Sequence, residues 1–474
     1  MHRFVAISFL LTALGAPTHA QEKTPEAPFR SLVDAVQKAQ KKGRKKKEKQ
    51  ENQAPTGEQT PKAPLRAIFE AVQKAKDSTA QPQKKPADNA EAKPEPSDTQ
   101  SPAKRLAWRS FDLDGSLRCG VDVQGRAWCW GVQTAALGNG TPPYIESLYA
   151  PSRVSGDHTF RMIALDNHYA CGIATDGQAW CWGANGFGNL GTGVARSRPA
   201  RVPVQVKTDQ RFHTIDTSDY GACALNSEDR LYCWGGMDGT LLGIGSVPRS
   251  NVPVPYAAQY RWKQISLGGT SLCGVTHDGT GYCWGKGGGY AHGNGEFGTK
   301  LEPTEVGGEH RWKEIHRGAT RACGLTTDGR AWCWGKNGNS WLGHDGAPKG
   351  HPAQCARYRW TCAALPMPVD TDVRFTELAV GMYTACGLDA EGRAWCWGEG
   401  EGGTLGDGIV KPDHQRKAVK PVQTEVRFRS LVVRGRQACG IAKDDATAWC
   451  WGHLFEKAGT PEPVPPPNSD PLGQ

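Results

Sequence analysis

The chain has 474 residues, with 57 Lys and Arg against 48 Asp and Glu and a formal net charge of +9 at pH 7. Hydrophobic residues make up 38% of it, and no apolar stretch after the first twenty residues is long enough to cross a bilayer, which excludes a bundle of membrane-spanning helices. The 16 cysteines, an even number, fit a disulfide-bonded protein if the chain is exported.

Residues 1–20 predict a secretory signal. A short basic start, Met1-His2-Arg3, precedes an apolar run from Phe4 to Ala16, and Ala20 offers a small residue for cleavage. The apolar run is too short for a transmembrane anchor. We therefore expect an exported protein, periplasmic or extracellular, with no transmembrane segment.

Residues 21–105 are rich in Lys, Gln, Pro, Glu and Ala, which is typical of a disordered linker. Within it, the phrase at 27–40 returns at 63–76, and each copy predicts a short amphipathic helix. The apolar stripes consist of Phe29, Leu32, Val33 and Val36 in the first copy and Leu65, Ile68, Phe69 and Val72 in the second. We expect both helices to dock in a groove of a partner, mainly through Phe29, Leu32, Ile68 and Phe69; a solvated spacer is the alternative.

The segment Lys38–Lys49 lies between the two phrases and contains eight Lys or Arg and one Glu. Such a run predicts binding to an anionic surface polymer, such as lipopolysaccharide or a cell wall polymer. Nucleic acid is a weaker candidate, because the chain has no recognised reading domain and is expected outside the cytoplasm.

Residues 106–464 contain seven copies of one unit. Each copy contains a Cys-Trp-Gly motif. A second cysteine precedes the motif cysteine by ten residues (eleven in the last copy), and an aromatic residue stands 21 or 22 positions upstream of it. The motif cysteines are Cys129, Cys181, Cys233, Cys283, Cys333, Cys396 and Cys450. The upstream aromatic residues are Trp108, Phe160, Phe212, Trp262, Trp312, Phe375 and Phe428.

Each unit has the pattern of short strands and none of helices. In the fifth unit, Cys323–Thr326 and Arg330–Cys333 flank Thr327-Asp328-Gly329, a strong hairpin signal. About 50 residues and four strands per unit, repeated seven times, predict an all-β, seven-bladed propeller with four-stranded blades. Linear β-solenoids have much shorter repeats.

The paired cysteines predict one disulfide in each hairpin. If Thr175-Asp176-Gly177 is a three-residue loop with Gly in the left-handed conformation, Cys171 lies directly opposite Cys181. The predicted bridges are Cys119-Cys129, Cys171-Cys181, Cys223-Cys233, Cys273-Cys283, Cys323-Cys333, Cys386-Cys396 and Cys439-Cys450. Zinc, the other use of paired cysteines, favours ligands two to four residues apart. We expect the tryptophans of the seven motifs to be packing residues.

An insertion between the fifth and sixth motifs holds the remaining two cysteines, Cys355 and Cys362. We predict an eighth disulfide between them; a zinc site with His344 and His351 is the alternative. The enclosed residues are Arg357, Tyr358, Arg359 and Trp360. Arg, Tyr and Trp are enriched at interface hot spots, so we predict that these four residues form the main partner contact of the propeller. In the alternative, Trp360 folds back onto the blade.

The unit from Ala170 to Gly193, with Cys-Gly, Thr-Asp-Gly, Cys-Trp-Gly and Leu-Gly-Thr-Gly in order, resembles the repeat of the regulator of chromosome condensation family. The paired cysteines are similar to those of its secreted bacterial branch. The resemblance covers residues 106–464, and the seventh unit departs from it by lacking Leu-Gly-x-Gly after its motif. Kelch repeats have a similar length, but their paired glycines are absent here.

No catalytic motif, metal-ligand spacing or cofactor motif is recognisable, and the sequence predicts a binding protein rather than an enzyme. The resemblance implies a protein-binding propeller, an interaction or inhibitory module on one envelope or extracellular partner, like the secreted propeller-type β-lactamase inhibitor proteins. The alternative is a lectin-like propeller that binds cell-surface glycans through exposed Trp and Tyr. Residues 465–474 are expected to be disordered.

Overall fold

A computed structural model describes residues 105–132, 135–141, 148–166, 168–194, 198–236, 250–338, 341–344, 361–453, 455 and 459–467. The predicted signal at 1–20, both helical phrases, the basic run Lys38–Lys49 and most of the C-terminal segment 465–474 lie outside these residues. In the described part of the chain, 28 strands form seven four-stranded antiparallel sheets.

The four strands of each sheet follow one another in the chain. Blade 1 contains β1 (Trp108–Asp114), β2 (Leu117–Asp122), β3 (Ala127–Gly131) and β4 (Leu148–Arg153). Blade 2 contains β5 (Phe160–Asp166), β6 (Tyr169–Ala174), β7 (Ala179–Gly183) and β8 (Ala200–Gln205). Blade 3 contains β9 (Phe212–Ser218), β10 (Gly221–Asn226), β11 (Leu231–Gly235) and β12 (Ser250–Tyr256). Blade 4 contains β13 (Trp262–Gly268), β14 (Ser271–Thr276), β15 (Gly281–Gly285) and β16 (Lys300–Glu305).

The last three blades follow the same order. Blade 5 contains β17 (Trp312–Arg317), β18 (Arg321–Thr326), β19 (Ala331–Asn337) and β20 (Thr361–Pro368). Blade 6 contains β21 (Glu377–Val380), β22 (Thr384–Leu388), β23 (Ala394–Glu399) and β24 (Gln415–Pro421). Blade 7 contains β25 (Phe428–Arg434), β26 (Gln437–Ala442), β27 (Ala448–Gly452) and β28 (Glu462–Pro463). Two 3-10 turns, Ala135–Leu137 and Glu401–Gly403, connect third to fourth strands.

The predicted seven-bladed propeller is confirmed. The first strand of each blade lies innermost, because these strands contact one another around a closed ring and β25 of blade 7 contacts β1 of blade 1. We call the side that carries the turns between first and second strands, and the connections between third and fourth strands, the upper face. The lower face carries the second-to-third turns and the connections between blades.

The hairpins have the register that the cysteine spacing predicts. Cys171 faces Cys181, the Ala174 backbone N–H donates to Gln178 O at 2.8 Å, and Gly177 has a φ of 83°. All seven predicted hairpin disulfides are present. In the seventh, the loop takes one more residue, and Ala446 with a φ of 58° occupies the left-handed position. Cys362 is also disulfide-bonded, and Cys355, its predicted partner, lies outside the described residues.

The tryptophans of the Cys-Trp-Gly motifs are packing residues, as predicted. Each is at most 3% exposed, and its ring centroid lies 5.3–6.1 Å from that of the aromatic residue that begins the first strand of the same blade. The indole N–H of Trp182 donates to Ala136 O of the preceding blade at 2.8 Å. One residue therefore fills the core of its blade and connects it to its neighbour.

Side chains of one blade cover the free edge of the next first strand. Inner strands present unpaired backbone N–H groups toward the channel, and buried N–H groups need acceptors. Carboxylate oxygens of the preceding blade accept from four of these N–H groups, at N to O distances of 2.7–2.8 Å. The acceptor and donor pairs are Asp112 with Leu165, Asp216 with Leu267, Glu314 with Leu378, and Glu377 with Leu431. These bonds fix the positions of blades 2, 4, 6 and 7, each relative to the blade before it.

The ring closes between blades 7 and 1 without exchange of a strand. The Trp108 backbone N–H donates to Ala446 O at 2.8 Å, and the Arg118 guanidinium donates to Gln437 Oε1 at 2.8 Å. The departure of the seventh unit from the repeat leaves β28 only two residues long. No helix among the described residues is long and apolar enough to cross a membrane.

Candidate functional site

The upper end of the central channel opens into a depression of about 240 Å³ where the first strands of all seven blades end. Counting six positions from the aromatic residue of each unit gives the residues at this mouth. They are Asp114, Asp166, Ser218, Gly268, Gly318, Gly381 and Arg434. The blades are alike in backbone, but their side chains make the mouth acidic on one side and open on the other.

Three aspartates, from blades 1 to 3, form the acidic side. Asp166 is 3% exposed, Asp114 is half-buried, and Asp219, one residue past the ring position of blade 3, is exposed. Within the described part of the chain none of the three forms an ion pair. Burial raises the pKa of Asp166, and the carboxylates of Asp114 and Asp219 raise it further. Burial also raises the pKa of Asp114.

Arg434 closes the channel below this mouth. Its Nη2 donates to Asp216 Oδ1 at 3.2 Å, and its Nε lies 3.9 Å from Asp112 Oδ1. Burial disfavours the charged guanidinium, but the carboxylates of Asp112 and Asp216 outweigh this effect and raise the pKa of Arg434. Burial in turn raises the pKa of Asp112 to about 6. The guanidinium is thus engaged by the deeper carboxylates and not by Asp166.

Three glycines form the open side of the mouth. A β-carbon on Gly268 would lie 2.7 Å from the carbonyl oxygen of Gly318, and one on Gly318 would lie 2.7 Å from that of Gly381. Adjacent blades therefore approach here more closely than any side chain allows. The exposed side chain of Met382 and the buried side chain of Arg317 also line this side.

Exposed apolar side chains gather on the upper face. Among the described residues, eleven large apolar side chains are exposed, and seven of them belong to upper-face turns and connections, namely Val132, Phe187, Val194, Phe297, Met382, Ile409 and Val410. Only Val123 belongs to a lower-face turn, and the other three lie on fourth strands. Aromatic pairs occur there too: Phe187 with Tyr220 at 5.5 Å, and Trp341 with Tyr383 at 4.8 Å.

Several charged side chains of the lower face are paired. Arg393 Nε donates to Asp389 Oδ2 at 2.7 Å, while His213 Nε2 and His277 Nε2 lie 2.8 and 2.9 Å from the two carboxylate oxygens of Asp229. Among the residues that the structure describes, no group of three or more His, Cys, Asp or Glu is arranged to hold a metal ion.

The predicted contact residues Arg357, Tyr358, Arg359 and Trp360, and the tail residues Phe29, Leu32, Ile68 and Phe69, all lie outside the described residues. The acidic mouth was not predicted from the sequence. The sequence does contain an indication of it, because Asp114 and Asp166 occupy the same position of two adjacent units. A position-by-position comparison of the seven units would have found them.

The family model of the regulator of chromosome condensation (RCC1) repeat matches residues 176–225, and a second model of this repeat matches residues 318–340. The RCC1 domain-containing protein RUG3 of Arabidopsis thaliana, a mitochondrial protein, is 29% identical over 135 residues, which are 28% of this chain and 30% of RUG3. The match thus spans less than a third of that relative.

Solved structures show the same fold. Human WBSCR16 superposes with a TM-score of 0.61 at 15% identity, covering 71% of this chain and 88% of that one. Prp20p of Saccharomyces cerevisiae superposes with a TM-score of 0.59 at 17% identity, covering 71% and 83%. The repeat matches and the seven-bladed ring agree with the resemblance seen in the sequence. Residues 176–225 and 318–340 are thus RCC1 repeats, and the chain resembles the proteins that are built from this repeat.

Proposed function

We propose that this chain is an exported protein-binding propeller that acts as an interaction or inhibitory module on one envelope or extracellular protein, and that its upper face is the binding surface. The observation that carries the proposal is the distribution of exposed apolar side chains, seven of which lie on the upper face and one on a lower-face turn. Exposed apolar patches with a polar surround are typical of protein interaction sites.

The asymmetry of the mouth favours one protein partner over repeated sugar sites. A lectin-like propeller would present similar pockets in several blades, whereas the seven mouth positions here carry four different residue types. The structure of Prp20p was described together with its binding to Gsp1p and histones, so a propeller of this fold is suited to binding proteins. Glycan binding remains the second candidate function.

The predicted contact residues Arg357, Tyr358, Arg359 and Trp360 are part of this proposal. They belong to the connection between β19 and β20, and the described ends of these strands, Asn337 and Thr361, are at the upper face. A hot spot in this connection would add to the same surface.

Site-specific photo-crosslinking tests the proposal. Benzoylphenylalanine replaces Phe187, Phe297 or Met382 on the upper face and, as the matched control, Val123 on the lower face, which is 41% exposed like Met382. The upper positions are expected to crosslink to one protein of the cell envelope, and the control is not. Equal crosslinking from Val123, or specific binding on a glycan array without any protein crosslink, would contradict the proposal.

A further inference from the structure

We propose that the acidic mouth on the upper face receives a lysine or arginine side chain inserted by the protein partner. This inference rests on the proposed function and specifies the chemistry of the partner. It is carried by unpaired carboxylates, by an unsatisfied hydroxyl beside them, by the space at the mouth and by the apolar side chains that adjoin it.

The carboxylates at the mouth have no cation in direct contact. Asp114, Asp166 and Asp219 make no ion pair with any described residue. The carboxyl of Asp166 contacts that of Asp219, and its backbone donor is the His168 N–H at 3.4 Å. Good N–H···O bonds measure about 2.7–3.2 Å, so this contact is weak. A buried carboxylate without a charge partner is costly, and an inserted cation relieves that cost.

A buried hydroxyl beside the carboxylates is also unsatisfied. Thr217 lines the same depression, is 1% exposed, and its Oγ1 has no hydrogen-bond partner among the described residues. A lysine ammonium offers three donors and an arginine guanidinium five, and neither accepts. Such a group can donate to the carboxylates and to the hydroxyl oxygen of Thr217.

Carboxylates outnumber guanidinium groups in the upper channel, even though Arg434 lies there. Five carboxylates and two guanidinium groups lie in the upper channel. The carboxylates are those of Asp112, Asp114, Asp166, Asp216 and Asp219, and the guanidinium groups are those of Arg434 and Arg317. The Arg317 guanidinium donates to Ala291 O and Ser271 Oγ of blade 4. Arg434 is held by the deeper pair, Asp112 and Asp216, so it forms the floor of the depression. The three glycines opposite contribute no side chain to the entrance, and the side chain of Met382 lines it there. An inserted cation is therefore stopped above Arg434 and beside Asp166 and Asp219.

The neighbouring apolar side chains favour a basic residue within a protein over a free cation. Tyr220 follows Asp219 in the chain and packs on Phe187 at 5.5 Å. On the other side, Met382 lines the mouth and the next residue, Tyr383, packs on Trp341 at 4.8 Å. Residues that flank the inserted side chain thus have apolar contacts on both sides of the channel axis.

Peptide selection tests the inference without knowledge of the partner. A displayed library of random twelve-residue peptides is selected on the full-length protein, and the affinity of the best peptide is measured by fluorescence anisotropy. We expect selected peptides to be enriched in a single Lys or Arg flanked by apolar residues. Replacing a selected lysine by norleucine, which lacks the ammonium group, or a selected arginine by citrulline, its neutral analogue of similar shape, should weaken binding at least tenfold.

Protein variants locate the site. Asp166→Asn retains an oxygen acceptor for the His168 N–H, and Asp219→Asn is exposed, so the second variant remains informative if the first fails to fold. Each is expected to weaken the peptide at least fivefold, and the two together more. Asp278→Asn, in an exposed lower-face turn, is the matched control and should stay within twofold of the wild type.

The outcomes separate the inference from the proposed function. If Phe187→Ser and Met382→Ser weaken the peptide but the aspartate variants do not, the upper face binds proteins and the inserted cation is wrong. If none of the four variants matters, both ideas fail. Calcium ions that bind alone, displace the peptide and lose affinity in Asp166→Asn would assign the mouth to a metal ion and overturn the inference.

Discussion

Arg434 and Asp216 form an ion pair between two blades that are not neighbours. The guanidinium belongs to blade 7 and the carboxylate to blade 3, 218 residues apart, and the Nη2 to Oδ1 distance is 3.2 Å. Because a second carboxylate, Asp112 of blade 1, lies beside the same guanidinium, one side chain joins three blades across the channel. The pair holds the ring from inside, where no strand pairing connects the blades.

Removal of this cation should destabilise the ring. We expect Arg434→Met to lower the free energy of unfolding by about 3 kcal/mol, because two largely buried carboxylates lose their charge partner. The control is Arg436→Met, whose guanidinium is 44% exposed and pairs with Glu401, and which should cost less than about 1 kcal/mol. Urea unfolding measures the free energy of unfolding of both variants. An equal decrease in the two would show that the ion pair in the channel stabilises the fold no more than the exposed one.

Glu377 makes stability depend on pH. Burial raises its pKa from 4.5 to about 7. The folded state therefore retains a proton that the unfolded state has lost between these pH values, and the contribution of this group to stability falls as pH rises through that window. We expect Glu377→Gln, which keeps an acceptor for the Leu431 N–H, to be more stable than the wild type at pH 8, on the order of 2 kcal/mol.

At pH 4.5 this difference should shrink toward zero, because the wild-type carboxyl is then largely neutral in the folded state. Thermal melts of both proteins between pH 4.5 and 8 measure it. Other groups that titrate in the same window, such as Asp112, contribute equally to the stability of both proteins, so their contributions cancel in the difference. A constant difference across the range would contradict the raised pKa.

Each hairpin disulfide should contribute to stability. Replacing Cys171 and Cys181 together by Ala is expected to cost about 2–3 kcal/mol, the value for a loop of this length in the chain-entropy model. Non-reducing peptide mapping should find each predicted pair within one hairpin, and Cys355 joined to Cys362. Bridges between different blades would contradict the register.

The connection between β19 and β20 is predicted to contribute to the affinity for the partner but not to the stability of the fold. Tyr358→Ala and Trp360→Ala should each weaken the partner complex by about 2 kcal/mol, as truncated hot-spot residues do. The melting temperature should change little. Calorimetry of the complex and of the free protein separates the two effects, and a lower melting temperature with unchanged affinity would favour packing of Trp360 against the blade.

The duplicated phrases of the tail are predicted to act together. Phe29→Ser with Leu32→Ser, or Ile68→Ser with Phe69→Ser, should each weaken capture of an envelope partner, and all four changes should abolish it. Two linked weak contacts raise avidity by about a hundredfold or more when geometry allows both. Pull-down with a propeller lacking residues 21–105 is the reference, and full capture by the fourfold variant would leave the tail as a spacer.

The sequence predicted what each blade contains. The ten-residue cysteine spacing specified the three-residue turn, and the recurrence of the motif tryptophan in every unit predicted the packing of Trp182. It did not predict what lies between blades. Contacts such as that of Arg434 with Asp216 join residues of separate units, and the period of a repeat reports only the interior of one unit. The acidic mouth follows from which strand lies innermost, which the spacing of cysteines does not determine.

The closure of the ring by side chains has a consequence for where the chain can begin. Leu106 and Val464, at the two ends of the propeller, pack into one cluster with Trp108 and Trp130. Since every blade is built from four consecutive strands, each junction between blades is equivalent to that between blades 7 and 1. Circular permutants that join the two ends and open the chain before Phe212 or Trp312 should therefore fold into the same ring. The propeller would then not depend on which blade comes first in the chain.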